Sequence, residues 1–460
     1  MKRFLCFVMV LLLLLTSVGA LAEDWVCPGC DFECSGNFCP SCGSARPVEP
    51  APTDTPEVPD APEIPDAPDS PVFTCDDYAV LSECCWGEDP FPFYGIVLKN
   101  LSDVCCAYVV TFEYLAADGT SIGTDTTIVP ALDPGAEALT YDIYPPECDR
   151  VTYSIEYGEA ALYTDIRSYV TVTSLESEDA LVLVMQNNAA VDIVYTECDV
   201  VLLDADGQVI DCERTYFSDE NGILASGQTA ASLIYVNAQY DSFELYYTAC
   251  INKTDAEIGT VDPAEYLNKT GEGCEIVHEY SVDHRYSTTV AYVLKNTTDA
   301  DCAFDCTALF IDSEGKTVDA SNTYSMYCAP GDKTLLTFST HKAYDHIDYC
   351  LHQYTPAEWS RPRSGVLETT AEKDVSGHNW KLKFGVTNTG EQAVEYVSCY
   401  YILFDEEGNV TEINQTMLCD ENYDYKIAPG ETLTGEEVIF DDFASFEVFT
   451  TAYFAFDDLY

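Results

Sequence analysis

Beyond residue 72 the chain alternates apolar and polar residues with a period of two, and the alternation recurs in four copies. In each copy one such run ends in asparagine: Tyr94, Ile96 and Leu98 before Asn100; Leu181, Leu183 and Met185 before Asn187; Val290, Tyr292 and Leu294 before Asn296; Leu382, Phe384 and Val386 before Asn388. Successive strand residues point to opposite faces, so this spacing predicts half-buried β-strands, with the asparagine opening the next turn. A second apolar run ends in an acidic-Gly turn at Asp118-Gly119, Asp206-Gly207, Glu314-Gly315 and Glu407-Gly408, placing the glycine 19, 20, 19 and 20 residues after the asparagine. Pro134-Gly135, Ser226-Gly227, Pro330-Gly331 and Pro429-Gly430 follow 16 to 22 residues later, and a closing strand such as Val151, Tyr153, Ile155 and Tyr157 comes after. Opening strands lie upstream, for example at Tyr169-Val170-Thr171-Val172. Six to seven short strands per period of about 95 residues, without a long helical pattern, predict an all-β chain. Its expected architecture is four tandem antiparallel β-sandwiches.

The first 72 residues read differently. Lys2 and Arg3 precede an apolar core from Phe4 to Leu15, and Ala20-Leu21-Ala22 follows, which is the pattern of a cleaved secretory signal. Retention as an N-terminal anchor is the alternative, although the core is shorter than the ~20 residues of a spanning helix. No lipobox cysteine follows, and the C-terminal residues carry no apolar tail. The expectation is a secreted or cell-surface protein with no membrane span after cleavage. Residues 46–72 carry proline at about every third position between acidic residues. Proline fixes φ and removes donors, so this linker should extend as polyproline II, reaching on the order of 80 Å at ~3.1 Å per residue.

Charge narrows the partners. Twenty basic residues against 80 acidic ones give a net charge of −60, which excludes nucleic acid and anionic lipid. A chain that is 47% hydrophobic and 12% aromatic is not disordered. An extracellular protein or glycan is the expected partner class. There is no Gly-x-Ser-x-Gly, no phosphate-binding glycine loop and no His-Glu-x-x-His, so the chain is expected not to be an enzyme.

Two motifs carry family resemblances. Cys27-Pro-Gly-Cys30 and Cys39-Pro-Ser-Cys42 are double Cys-x-x-Cys knuckles that place four thiolates for tetrahedral Zn²⁺. With Phe38 and the tail to Arg46-Pro47, this segment resembles a short zinc-ribbon module common at protein termini in Gram-positive bacteria. Asp31, in place of a glycine, and the fifth thiol Cys34 depart from that pattern. A closed four-thiolate site implies structural zinc with no open position for catalysis, and a disulfide-stapled ribbon is the alternative outside a cell. Further along, Tyr401-x-Leu403-Phe404-Asp405-x-x-Gly408 is similar to the signature of FxLYD-type domains, immunoglobulin-like modules of secreted and surface bacterial proteins. The second and third repeats keep Asp204 and Asp312, whereas the first has Ala116. This resemblance implies an immunoglobulin-like fold and a non-catalytic role, with no ligand to carry over. The expected layout is signal peptide 1–22, zinc ribbon 23–47, linker 48–72, and sandwiches at 73–167, 168–272, 273–364 and 365–460.

The 22 cysteines add a further layer. Cys198, Cys306 and Cys399 each stand nine residues before the turn glycine, where the first repeat has Val110. They share a strand face with apolar neighbours and so should point inward. If the fourth repeat closes its own bridge, it joins Cys399 to Cys419; Cys306–Cys328 and Cys198–Cys212 follow by analogy, with buried free thiols as the alternative. Five of the six histidines fall in the third repeat. There His346, Asp348, Cys350 and His352 occupy one strand face, where adjacent pairs have metal-ligand spacing and an exposed polar face is the plainer reading. Asp204-Ala-Asp206-Gly207 begins like a calcium loop, but its glycine comes too early, which favours a hairpin. The expected function is a non-catalytic binding or adhesion protein. A structural spacer presenting the ribbon and an enzyme of unrecognised type are the alternatives.

Overall fold

The computed structural model describes residues 25–26, 33–34, 77–87, 92–176, 180–219, 221–236, 239–254, 256–271, 273–355, 366–375, 379–420 and 425–454. The chain divides into two units, residues 1–69 and 70–460. In the first, β1 (Trp25–Val26) pairs antiparallel with β2 (Glu33–Cys34).

The second unit is all-β. Its first repeat runs β3 (Tyr78–Trp86), β4 (Phe93–Asn100), β5 (Cys106–Leu115), β6 (Ser121–Leu132), β7 (Glu137–Ile143) and β8 (Arg150–Glu159). After the short β9 (Tyr163–Asp165), the second runs β10 (Val170–Glu176), β11 (Ala180–Asn187), β12 (Tyr195–Leu203), β13 (Val209–Thr215), β14 (Thr229–Tyr235) and β15 (Ser242–Asn252). The third is β16 (Cys274–Asp283), β17 (Thr288–Asn296), β18 (Cys302–Ile311), β19 (Thr317–Cys328), β20 (Lys333–Thr340) and β21 (His346–Tyr354). The fourth is β22 (Leu367–Asp374), β23 (Trp380–Asn388), β24 (Val394–Phe404), β25 (Val410–Met417), the two-residue β26 (Lys426–Ile427), β27 (Thr432–Ile439) and β28 (Ser445–Phe454). Among the described residues there is no α-helix, and no helix is long and apolar enough to cross a membrane.

Every repeat forms the same two antiparallel sheets. The first, second and fifth main strands make a front sheet, such as β3-β4-β7; the fourth, third and sixth make a back sheet, such as β6-β5-β8. In the second repeat β9 joins the edge of the back sheet by pairing with β15. Each front sheet shares a core with its own back sheet. In the third pair Val290, Tyr292 and Leu294 of β17 meet Phe304, Cys306, Ala308 and Phe310 of β18. Corresponding positions build the other three cores, and the inward cysteines Cys198, Cys306 and Cys399 are all buried there, with Val110 in the equivalent place.

The repeated asparagines are core pins as well as turn openers. Asn100, Asn187, Asn296 and Asn388 are fully buried. The Asn296 amide donates to Ala300 O and Cys328 O at 2.8 Å each, and its Oδ1 accepts from Thr298 N at 2.9 Å. Asn388 repeats this with Gln392 O, Ile427 O and Gly390 N. One side chain thus satisfies carbonyls from two loops that would otherwise be buried unpaired, which explains its recurrence. The acidic-Gly turns are hairpins. Asp312 Oδ1 accepts from Glu314 N and Lys316 N at 2.9 Å, and Gly315 takes φ of 80°, a left-handed conformation suited to glycine. Asp204 accepts in the same way from Asp206 N and Gln208 N. Its carboxylate therefore serves the hairpin, as its sequence context favours.

Candidate functional site

The informative surfaces are the outer faces of the sheets. Strand β4 points Ile96 and Leu98 into its own core and Val97 out of it, and Val97 with Leu139 packs on Val201 of the second repeat's back sheet. Val182, Val184 and Ala231 of the second front sheet meet Leu309, Ile311 and Ala320 of the third back sheet. Val282, Ala291, Val293 and Leu335 of the third front sheet meet Ile402, Phe404, Ile413 and Phe449 of the fourth back sheet. One rule joins all three seams: the front sheet of each pair lies on the back sheet of the next. Strands β4, β11 and β17 are consequently buried on both faces, where the alternating pattern predicts one.

The seams differ in polar content. In the first, Arg214 Nε donates to Asp199 Oδ1 at 2.6 Å and its Nη2 to Oδ2 at 3.1 Å, while Nη1 lies 3.2 Å from Glu197. The guanidinium stacks 4.6 Å from the centre of the Tyr141 ring, which belongs to the first repeat. Burial raises the Asp199 carboxyl above its ordinary value, with Arg214 pulling the other way. In the second seam Asp305 is buried; Gln228 Nε2 of the second repeat donates to its Oδ2 at 2.7 Å, and Asn322 Nδ2 to its Oδ1 at 3.0 Å. Burial pushes its carboxyl up to about 6, while the amides of Asn322 and Gln228 pull it back. The third seam is apolar and aromatic, with Tyr280 and Phe404 edge to face at 5.4 Å. Beside it opens a recess of about 440 Å³ walled by Thr289, Thr337, Ser339, Asn414, Gln415 and Tyr324.

The histidine-bearing strand takes its place in the second seam. His346, Asp348, Cys350 and His352 of β21 share the outer face with Ile311, Leu309, Thr307 and Asp305, their cross-strand partners. The Cys350 thiol accepts from Thr229 N of the second repeat at 3.3 Å, and His352 Nε2 stands 4.0 Å from Asp219 Oδ2. Asn268 Nδ2 donates to Asp348 at 2.7 Å. Burial pulls the His352 imidazole below its ordinary value, against Asp219 and Asp192. From Asp348 to His352 the row is thus an inter-repeat contact, while His346 stays exposed beside Asp345. Among the described residues no group of three His, Cys, Asp or Glu side chains is arranged to hold a metal ion. Cys27, Cys30, Cys39 and Cys42 lie outside the described residues.

Strand register also rules out the three intra-repeat disulfides. Cys198 faces the second core, but Cys212 opposes Val201 and so emerges on the other side of the sheet. The cross-strand partner of Cys328 is Cys302, with Cys306 four residues further along β18, about 13 Å away against the ~7 Å that a disulfide spans between Cα atoms. Cys419 lies three residues beyond Thr416, the partner of Cys399, a separation of about 10 Å. The Cys399 thiol instead meets Thr450 Oγ1 at 3.8 Å.

No protein-family model and no curated protein matches the chain. Among solved structures it is similar to a beta-glucuronidase from glycoside hydrolase family 2, at 10% identity and a TM-score of 0.12, over 69% of this chain and 30% of that one. It is also similar to trypsin-activated alpha-2-macroglobulin from Escherichia coli, at 8% identity and a TM-score of 0.13, over 83% of this chain and 42% of that one. The chain spans less than half the length of either protein, and neither likeness carries an argument about fold or activity.

Proposed function

We propose that the protein is an exported, non-catalytic binding or adhesion protein, built from a structural zinc ribbon at Cys27, Cys30, Cys39 and Cys42, an extended linker and four FxLYD-type immunoglobulin-like sandwiches. The observation that carries this reading is the alternation of covered and open faces. Three front sheets are apolar and covered, whereas the outer face of the fourth carries Lys381 and Lys383 paired with Glu436 and Asp374. Such a stack leaves polar outer faces on its first back sheet and fourth front sheet, and repeat arrays of this kind serve as display surfaces. The hydroxyl- and amide-walled recess at the third seam supports a neutral, hydroxyl-rich ligand such as a glycan, with Tyr324, 54% exposed, as a stacking surface.

Glycan and extracellular-protein arrays probed with the chain lacking residues 1–22 test this function. Retained binding that Tyr324→Ala weakens at least tenfold supports it; turnover of any array component overturns the non-catalytic reading. The spacer reading is favoured by the seams alone, and it prevails if the wild-type chain binds nothing on either array. Zinc analysis of the purified protein tests the ribbon separately, one ion per chain being expected and none overturning it.

A further inference from the structure

Cysteines from different repeats meet at the first seam. Cys84 of β3 lies on the outer face of the first front sheet, opposite Gly95, and Gly95 in turn opposes Tyr141 of β7. Cys212 of β13 approaches from the second repeat, and both thiols line the apolar cluster of Val97, Leu139 and Val201. There β3 and β13 run against each other. At another part of the same interface Cys105, just ahead of β5, packs with Ala131, Ala160 and the fully buried Cys250 of β15. The Cys105 thiol faces the backbone of Asp165, and Asp165 is the cross-strand partner of Cys250. Cys105 and Cys250 therefore stand side by side across this interface, the Cys105 thiol within electrostatic reach of Cys250. Each repeat therefore contributes one thiol to each of two meetings.

We infer that Cys84 bonds Cys212 and Cys105 bonds Cys250, two disulfides that staple the first sheet pair to the second. The co-reactant is a small disulfide, R–S–S–R. One protein thiolate attacks it, forming a mixed disulfide and releasing R–S⁻. The partner thiolate then attacks the protein-side sulfur and displaces the second R–S⁻. The two protons lost by the cysteines end on the two R–SH, so two thiols are oxidised as one disulfide is reduced. Burial pushes the Cys84 and Cys105 thiols up to about 11, which disfavours the attacking thiolate once the seam has closed. Oxidation therefore accompanies docking of the two pairs rather than following it. The pairing rests on packing within this unit and is independent of the binding reading above.

The test refolds the reduced full chain in a mixture of reduced and oxidised glutathione, blocks remaining thiols with iodoacetamide, and maps proteolytic peptides by mass spectrometry without reductant. Expected are cross-linked peptides joining Cys84 to Cys212 and Cys105 to Cys250. Cys212→Ser should abolish the first link and spare the second, and Cys250→Ser the reverse. Cys84→Ser and Cys105→Ser, at half-buried positions, give the same two losses if a buried serine impairs folding. Alkylated thiols at either pair, or a bond from Cys84 to its neighbour Cys85, would overturn the inference.

Discussion

The outer faces of β17 and β23 occupy equivalent places in successive repeats and meet opposite fates. Inward, both strands are apolar: Tyr292 and Leu294 in one, Leu382, Phe384 and Val386 in the other. Outward, β17 presents Ala291 and Val293, covered by the fourth back sheet, while β23 presents Lys381 and Lys383, which pair with Glu436 and Asp374 at the surface. The opposite end of the stack resembles β23: on the first back sheet Thr111 and Thr126 share a hydroxyl contact at 3.2 Å, and Ile128 is exposed. A repeat's fold and its attachment to the next repeat are thus written on two faces of one strand. The first can be kept while the second is switched off.

Breaking a covered face should have the largest effect. Val293→Asp puts an unpaired carboxylate between Leu335 and Ile402, and should cost about 4 kcal/mol and split thermal unfolding into separate transitions, read by calorimetry. Arg214→Met should cost about 3 kcal/mol in denaturant titration, because Asp199 is left buried without its cation; adding Asp199→Leu should recover much of that loss. The second seam should respond to pH. The folded-state value of Asp305 is raised to about 6, above the ~3.9 of an unfolded chain, so its contribution is fully present below pH 4 and is lost as pH rises through 6. Stability should fall by roughly 2 to 3 kcal/mol across that window, and Asp305→Asn should flatten the profile. Lys383→Gln, on the uncovered face of β23, should leave the unfolding midpoint nearly unchanged. An effect there matching that of Val293→Asp would erase the distinction between covered and open faces.

Much of each repeat was legible in the sequence. Alternation located the strands, glycine the left-handed turn positions, and strand parity the inward direction of Cys198, Cys306 and Cys399. The seams are partly legible: Ile96-Val97-Leu98 and Val182-Leu183-Val184 are apolar at consecutive positions, as strands buried on both faces are, whereas Lys381-Leu382-Lys383-Phe384 alternates. Cysteine partners were not legible, because they depend on which strands oppose and where the ladder shifts. The irregularity between Cys302 and Phe304 is one such shift. The meeting of Cys105 with Cys250 requires two repeats to dock, which no spacing within one repeat encodes.

The lysines on β23 also bear on how such a chain changes length. Duplicating the third repeat in place would present the new copy with an apolar face on each side, and the array would lengthen by one unit without redesign. Copying the fourth repeat would set Lys381 and Lys383 against the apolar back face of the duplicate, and the copy would hang free on its linker. Copy number is therefore easy to raise inside the array and hard to raise at this end, where two charged side chains act as a stop.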